Sequence, residues 1–338
     1  PELPWGIEPV PPERRGGFRD FWLASDILEF TSHGYDGHMF DADGNRREFP
    51  PGRYRVDAQT DWLCEFLDAA PSDRPWFLVS SYIEPHHQND HERYEGPHGS
   101  RERWRDFQPP GDLRDLDGDW REQYPDYLGC CHALDRALAR VRDKLLECGQ
   151  AENTIIVFAS DHGSHFRTRN AEYKRSCHDA SLRVPLVIHG PGFTGGHVAE
   201  APVSLIDLPA SILRMAGVPV PDAFHGRPLQ DLLAGVDDWP TEAFYQISES
   251  GVGRGIRTDR WTYCVHDPEA GKGVGQAPAA ERYRETHLYD NQADPHQQHN
   301  LVADPAYAER RADLRARLLA HLQRVEAAQP TIEAASVP

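Results

Sequence analysis

The chain has 338 residues, 39% of them hydrophobic, and a formal charge of −18. That length can bury a sizeable core, as one large domain or one large plus one small. The acidic surplus disfavours nonspecific nucleic-acid binding, which relies on an excess of Lys and Arg, so no nucleic-acid partner is expected, and no apolar run approaches the roughly 20 residues that span a bilayer, so the sequence reads as soluble with no membrane partner.

Residues 1–55, rich in Pro, Gly, Arg and aromatics, read as irregular. Residues 57–69 read as a helix, because Ala58, Trp62 and Phe66 recur at four-residue spacing. The apolar run 75–82 reads as a buried strand ending at Glu84-Pro85-His86-His87. The polar connection 88–124 is long enough to be a lid, a binding loop or disordered. A second helix carries Leu128, Cys131, Leu134, Leu138, Val141 and Leu145 on three- and four-residue steps, with Gly149 as its stop. Residues 154–160 and 185–188 read as buried strands, and 203–216 as a helix. This alternation predicts a largely parallel sheet with helices on both faces, where ligands sit beyond the carboxyl ends of strands. His86 and Asp161 both lie just past such ends, so they are expected to converge.

The texture changes near residue 240. Short strand-like runs at 243–249, 253–257 and 260–265, a loose Gly/Ala/Pro stretch at 270–280, and Leu288-Tyr289-Asp290 lead to a last helix with Leu314, Leu318, Leu322 and Val325 on one face. The expected organisation is a large α/β domain over 1–240 and a small antiparallel-sheet subdomain over 241–338. There are no internal repeats.

Six scattered cysteines, without metal-type Cys-x-x-Cys spacing, read as reduced and mostly core residues. They lean toward a cytoplasmic rather than a periplasmic or secreted setting. No signal peptide is visible, and the chain starts at Pro1. Nothing in the sequence sets the oligomeric state.

The strongest chemical signal is Asp161-His162-Gly163, which follows the apolar run 154–160. Between His162 and Arg183 lie His162, His165, Arg167, Arg169, Lys174, Arg175, His178 and Arg183 against only Glu172 and Asp179, a basic patch suited to an anion with a metal beside it. Asp161 offers a hard oxygen ligand and His162 a nitrogen, a pairing compatible with Ca²⁺ or Mg²⁺ and, through the imidazole, with Mn²⁺ or Zn²⁺. The ordinary alternative is a strand-end turn in which Asp161 caps a helix. Lys174 could hold a charged ester, or simply be solvated. His86 could be a general acid or a neutral donor, with His87 and His91 as rivals; a lone histidine is more often structural. His165 and His178 are weaker candidates for anion contacts. In the connection 88–124, Arg101, Arg103, Trp104 and Arg105 could meet a sugar or an aryl group, and Arg254 and Arg257 read as structural ion pairs.

Taken together these pieces resemble the sulfatase family of the alkaline-phosphatase superfamily. Residues 153–163 look like that family's strand and metal-binding turn, and Lys174 stands nine positions before Arg183-Val184-Pro185, as in the family. Residues 77–86 look like the segment ending in its active-site Pro-His, and Leu288-Tyr289-Asp290, Asp294-Pro295 and Asn300-Leu301 are similar to its closing motif. The resemblance implies an alkaline-phosphatase-like three-layer α/β/α sandwich with a mostly parallel sheet, plus a small C-terminal α+β subdomain. It implies a divalent ion, Ca²⁺ first, on Asp161 and His162. Lys174 would contact the leaving oxygen and a nonbridging sulfate oxygen, and His86 would donate to the leaving group. It also implies a formylglycine nucleophile in Cys/Ser-x-Pro-x-Arg. That motif is absent from these 338 residues, as are the family's N-terminal Asp-Asp metal pair and its Lys-x-His segment; Asp237-Asp238 lies far from the position of that pair. His87-Gln88 departs from the family, where a Pro often follows the histidine. The expected function is metal-dependent hydrolysis of a small-molecule or saccharide sulfate ester by the full-length protein, with this chain alone inactive. The alternatives are phosphoric or phosphonate ester hydrolysis and a noncatalytic anion-binding fragment.

Overall fold

The structure, a computed structural model, describes residues 8–25, 27–269 and 277–335. It divides into two compact units, Pro1–Pro109 with Asp119–Ile155, and Pro110–Gly118 with Ile156–Pro338. The change of texture read at residue 240 marks where a sheet begins, at Glu242, rather than a division by compactness.

In the first unit the predicted helices form as Arg55–Ala69 and Trp120–Glu147. They pack through Val56 of the first against Ala133 and Ala137, small side chains one turn apart on the second that let the axes approach. Residues 1–55 are less irregular than expected. Strands β1 (Leu23–Ala24), β2 (Ser32–His33), β3 (Asp36–Asp41) and β4 (Arg46–Glu48) form an antiparallel sheet centred on β3. Met39 and Phe49 from this segment pack on Ala58 and Trp62, which explains the aromatic content of the segment. The run 75–82 forms no strand: it has no ladder neighbour among the described residues, and Phe77 and Val79 are more than half exposed.

In the second unit β5 (Ile156–Ala159) pairs with β6 (Leu186–His189), and the pairing is antiparallel. The reason is the connection. A parallel pair needs a crossover of a dozen or more residues, usually a helix. Residues 160–185 instead fold back on themselves around a single four-residue helix, Asp179–Leu182. Strands β7 (Glu242–Ile247), β8 (Gly253–Thr258), β9 (Trp261–His266), β10 (Arg282–Asp290) and β11 (Thr331–Glu333) make a five-stranded sheet in the order β11-β10-β9-β8-β7. Only β10–β11 is parallel among the described ladders. Part of the predicted loop 270–280, residues 270–276, lies outside the described residues.

The helix Ala308–Val325 covers this sheet. Leu314, Leu318 and Leu322, four residues apart, are fully buried against Ile256, Tyr263, Val265 and Leu288. Glu285 is buried in β10 but accepts from Arg315 at 2.6 Å and from the Tyr263 hydroxyl at 3.0 Å, so its charge is paired. Leu318→Ala removes the central residue of the leucine row and is expected to cost about 2–5 kcal/mol of stability. Chemical denaturation checks this; an unchanged midpoint would show that the row does not hold the sheet.

Candidate active site

β5 ends at Ala159, and the chain turns at once through Asp161-His162-Gly163. Gly163 is required there. A Cβ would lie 2.1 Å from the Ala180 carbonyl oxygen, and the Gly163 amide donates to the Ser181 carbonyl at 2.9 Å. This contact lays the turn against the helix Asp179–Leu182. His162 Nδ1 donates to the Gly163 carbonyl at 2.9 Å, which makes Nε2 the lone-pair nitrogen. That atom lies 3.3 Å from Asp161 Oδ2 and 3.0 Å from Lys174 Nζ. Three of the four predicted site residues are thus brought together within one unit.

The donor set fits a divalent cation. An imidazole whose Nδ1–H is fixed by a backbone carbonyl, offering Nε2 beside a carboxylate oxygen, is the usual arrangement of a metal-bound histidine. Asp161 and His162 could hold such an ion, and Lys174 places a positive charge at the same point.

Lys174 is positioned through its backbone. His165, fully buried, donates from Nε2 to the Lys174 carbonyl at 3.1 Å, and Asn170 Nδ2 donates to the same oxygen at 3.2 Å. The His165 amide donates to the Tyr173 carbonyl at 2.8 Å and closes the loop. Burial pushes the His165 pKa down to about 4, against the opposing pull of the Lys174 carbonyl, so the ring is neutral near pH 7.

The closing segment grips this loop from the other side. Asp179 accepts a bidentate pair from Arg257 at 2.8 and 2.9 Å, and its amide donates to Gln297 Oε1 at 2.6 Å. Arg169 donates to the carbonyls of Gln297 and His296. Arg175 pairs with Glu172 at 2.6 Å and with Glu249. Much of the basic patch therefore holds the loop in shape rather than facing an anion. His178 is buried, with Nε2 3.0 Å from the Tyr289 hydroxyl, and makes no open anion contact. The reading of Arg254 and Arg257 as structural ion pairs is met: Arg254 pairs with Glu326 at 2.8 Å and Arg257 with Asp179. Sequence reasoning missed Asn170 and Gln297, whose partners are set by the folded loop and not by any motif.

His86 lies in the first unit. Its Nδ1 stands 2.6 Å from the His87 carbonyl and 3.1 Å from Glu29 Oε2, which marks Nδ1 as the protonated nitrogen. The stretch before His86 is anchored two residues earlier by a buried pair, Glu84 with Arg55 at 2.8 Å. The rivals are engaged elsewhere. His87 is buried edge-on to Tyr94, and His91 stacks on His33 and pairs with Glu95 at 2.6 Å. Of the basic and aromatic residues in 88–124, Arg103 and Trp104 line a cavity of about 280 Å³ with Tyr35, His98, His132 and Arg136. Arg101 is instead paired with Asp126 at 2.6 Å.

Comparison with known proteins identifies the family. The family model described as Sulfatase matches residues 14–218, and that described as N-sulphoglucosamine sulphohydrolase, C-terminal, matches residues 171–324. The chain belongs to the sulfatase family. Like its relatives, this sulfatase-family chain falls in the alkaline-phosphatase superfamily. It is 28% identical over 330 residues to an ulvan-active sulfatase of Formosa agariphila, a match covering 91% of this chain and 59% of that one. The chain therefore spans about three fifths of that relative's length. A structure from work on the metabolism of multiple glycosaminoglycans by Bacteroides thetaiotaomicron has a TM-score of 0.78 at 21% identity, covering 94% of this chain and 67% of that one. The phosphonate monoester hydrolase of Silicibacter pomeroyi has a TM-score of 0.59 at 25% identity, with 84% and 64% covered. The fold is accordingly the alkaline-phosphatase-like α/β fold, with mixed strand directions among the described residues.

Gly163→Ala forces the new methyl group against backbone, and overpacking of this kind costs about 1–3 kcal/mol. The variant of this sulfatase-family chain is expected to melt lower than the wild type; an equal melting temperature would show that the close approach is not maintained. His165 predicts a pH effect. Its folded pKa of about 4 lies below the ordinary 6.5, so between these values the unfolded chain binds a proton that the folded chain does not. The associated stability is complete above pH 6.5 and falls as the pH drops toward 4. His165→Gln is expected to lose melting temperature less steeply than the wild type over that interval; parallel curves would contradict it.

Proposed function

We propose that the full-length protein hydrolyses sulfate esters, the reading supported best by the gathering of Asp161 Oδ2, His162 Nε2 and Lys174 Nζ at one point. Asp161 and His162 hold a divalent cation, Ca²⁺ before Mn²⁺, Mg²⁺ or Zn²⁺. The ion, when bound, neutralises nonbridging oxygens of the ester. Lys174 contacts the ester and stabilises charge on the departing oxygen. An ammonium about 4 Å from a unit negative charge contributes roughly 4 kcal/mol at an effective dielectric near 20. His86 donates a proton to the leaving alkoxide, with Glu29 as the carboxylate partner of its ring.

These residues bind, orient and protonate, but they do not attack sulfur. No Cys/Ser-x-Pro-x-Arg occurs in the 338 residues, so we assign the nucleophile, a formylglycine, to the full-length protein, and this chain alone is inactive. The alcohol half of the ester is a saccharide, a reading supported by the glycosaminoglycan context of one structural neighbour, and Arg103 and Trp104 are the residues of the connection 88–124 that offer it a cation and an aromatic face. The phosphonate monoester hydrolase among the neighbours favours a second reading, phosphonate or phosphate ester hydrolysis on the same residues.

The test is hydrolysis of sulfated and phosphonylated saccharide and aryl esters by the 338-residue chain and by a polypeptide extended to include the nucleophile. The chain alone should release nothing. The extended protein should release sulfate in preference to phosphonate, and Lys174→Ala in it should lower kcat/KM by about 100-fold or more. Sulfate release by the chain alone would refute its inactivity, preference for phosphonate would install the second reading, and no hydrolysis of either would leave the noncatalytic alternative.

A further inference from the structure

Away from the catalytic groups, the second unit holds two thiols and three imidazoles in one place. Cys264 and His266 alternate on β9 and so share a face. His287 on β10 stands directly across from Cys264, just after a register shift between Glu285 and His287 that re-aims the strand. Cys177 and His178 come from the loop that carries Lys174. The ligand atoms of Cys177, His178 and His287 all lie within 4.8 Å of one another, as do those of Cys264, His266 and His287. His287 belongs to both groups, and the two thiols lie in one buried cluster with Ile247 and Tyr289. Cys177, Cys264 and His178 are buried.

We propose that this cluster is a metal site for one thiophilic divalent ion, Zn²⁺ by preference, bound by Cys177, Cys264, His287 and one of the two remaining histidines. Soft thiolates with imidazole select zinc over calcium or magnesium. Zinc bonds of about 2.3 Å to sulfur and 2.0–2.1 Å to nitrogen place tetrahedral ligand atoms about 3.3–3.8 Å apart. Within each triad the ligand atoms need to contract by about 1.5 Å at most, and His287, common to both triads, is the point on which the two thiols would close.

The surroundings fit as well. The Thr286 hydroxyl donates to the Cys264 carbonyl at 3.2 Å, and it accepts from His266 Nδ1 at 2.9 Å and from His287 Nδ1 at 3.1 Å. One hydroxyl in the bulge thus orients two rings, the outer support that metal-bound histidines use. His178 is held at Nε2 by Tyr289, which leaves Nδ1 toward Cys177 Sγ at 4.0 Å. On binding, each thiol loses its proton to solvent and forms a metal–sulfur bond, while the imidazoles bind neutral. The ion would staple the Lys174 loop, three residues from Cys177, to β9 and β10.

The test uses the full 338-residue chain, reduced with a phosphine and titrated with Co²⁺. Thiolate-to-cobalt charge-transfer absorption should rise to one equivalent, which the oxygen and nitrogen ligands of Asp161 and His162 cannot produce. Zn²⁺ should abolish the absorption, and Zn²⁺-loaded chain should melt higher than chelator-treated chain. Cys264→Ser should lose the band, and Cys148→Ser, which alters a thiol outside the cluster, should keep it. If Cys264→Ser does not fold, the wild-type titration decides alone. Folded wild-type chain with no charge-transfer band, its thiols either free or joined as a disulfide, would overturn the proposal.

Discussion

Two backbone hydrogen bonds close the loop on which the candidate site depends: Gly163 N–H to the Ser181 carbonyl and His165 N–H to the Tyr173 carbonyl. The first sets the Asp161-His162 turn against the helix Asp179–Leu182, and the second brings Lys174 back toward the end of β5. Because no Cβ fits between Gly163 and the Ala180 carbonyl, the approach is available only to glycine. The loop folds back through these bonds, and β6 runs against β5. Strand direction and site geometry thus follow from the same fold-back.

Charge within this loop has two uses. Arg169, Arg175 and Asp179 are tied to carbonyls, to acidic side chains and to Arg257, and they hold shape. Lys174 and His162 meet each other, nitrogen to nitrogen at 3.0 Å, an arrangement that makes sense where an anion and a cation are to be bound side by side. The closing segment supplies Gln297, which receives the Asp179 amide and itself donates to Thr262 at 2.9 Å. The C-terminal sheet is in this way part of the machinery that positions the lysine loop.

What could be read in advance was local. The leucine row of the last helix and the existence of Trp120–Glu147 follow from a 3.6-residue period, but of the six apolar residues read on the latter only Leu145 is buried, the packed face being carried by Cys130, Ala133 and Ala137. Asp161-His162-Gly163 was legible as a turn, because a glycine follows an acid and an imidazole at the end of a β-branched run; the approach of Lys174 to it came only with folding. The strands at 23–48 were hidden, since they are two to six residues long and too short to show alternation. The run 75–82 misled for the opposite reason: composition suits a strand, but a ladder needs a neighbour. Asn170, His165 and Gln297 gained their roles from folding; Gln297 and the Asp179 amide are 118 positions apart in the chain. No spacing rule reaches that far.

The most direct measurement is a crystal structure of the 338-residue chain soaked in Mn²⁺, read by anomalous scattering. The central claim predicts a peak bonded to Asp161 and His162 Nε2, with Lys174 Nζ turned toward the same point. A peak bound elsewhere, or Asp161 and His162 pointing apart in density with no ion between them, would contradict it.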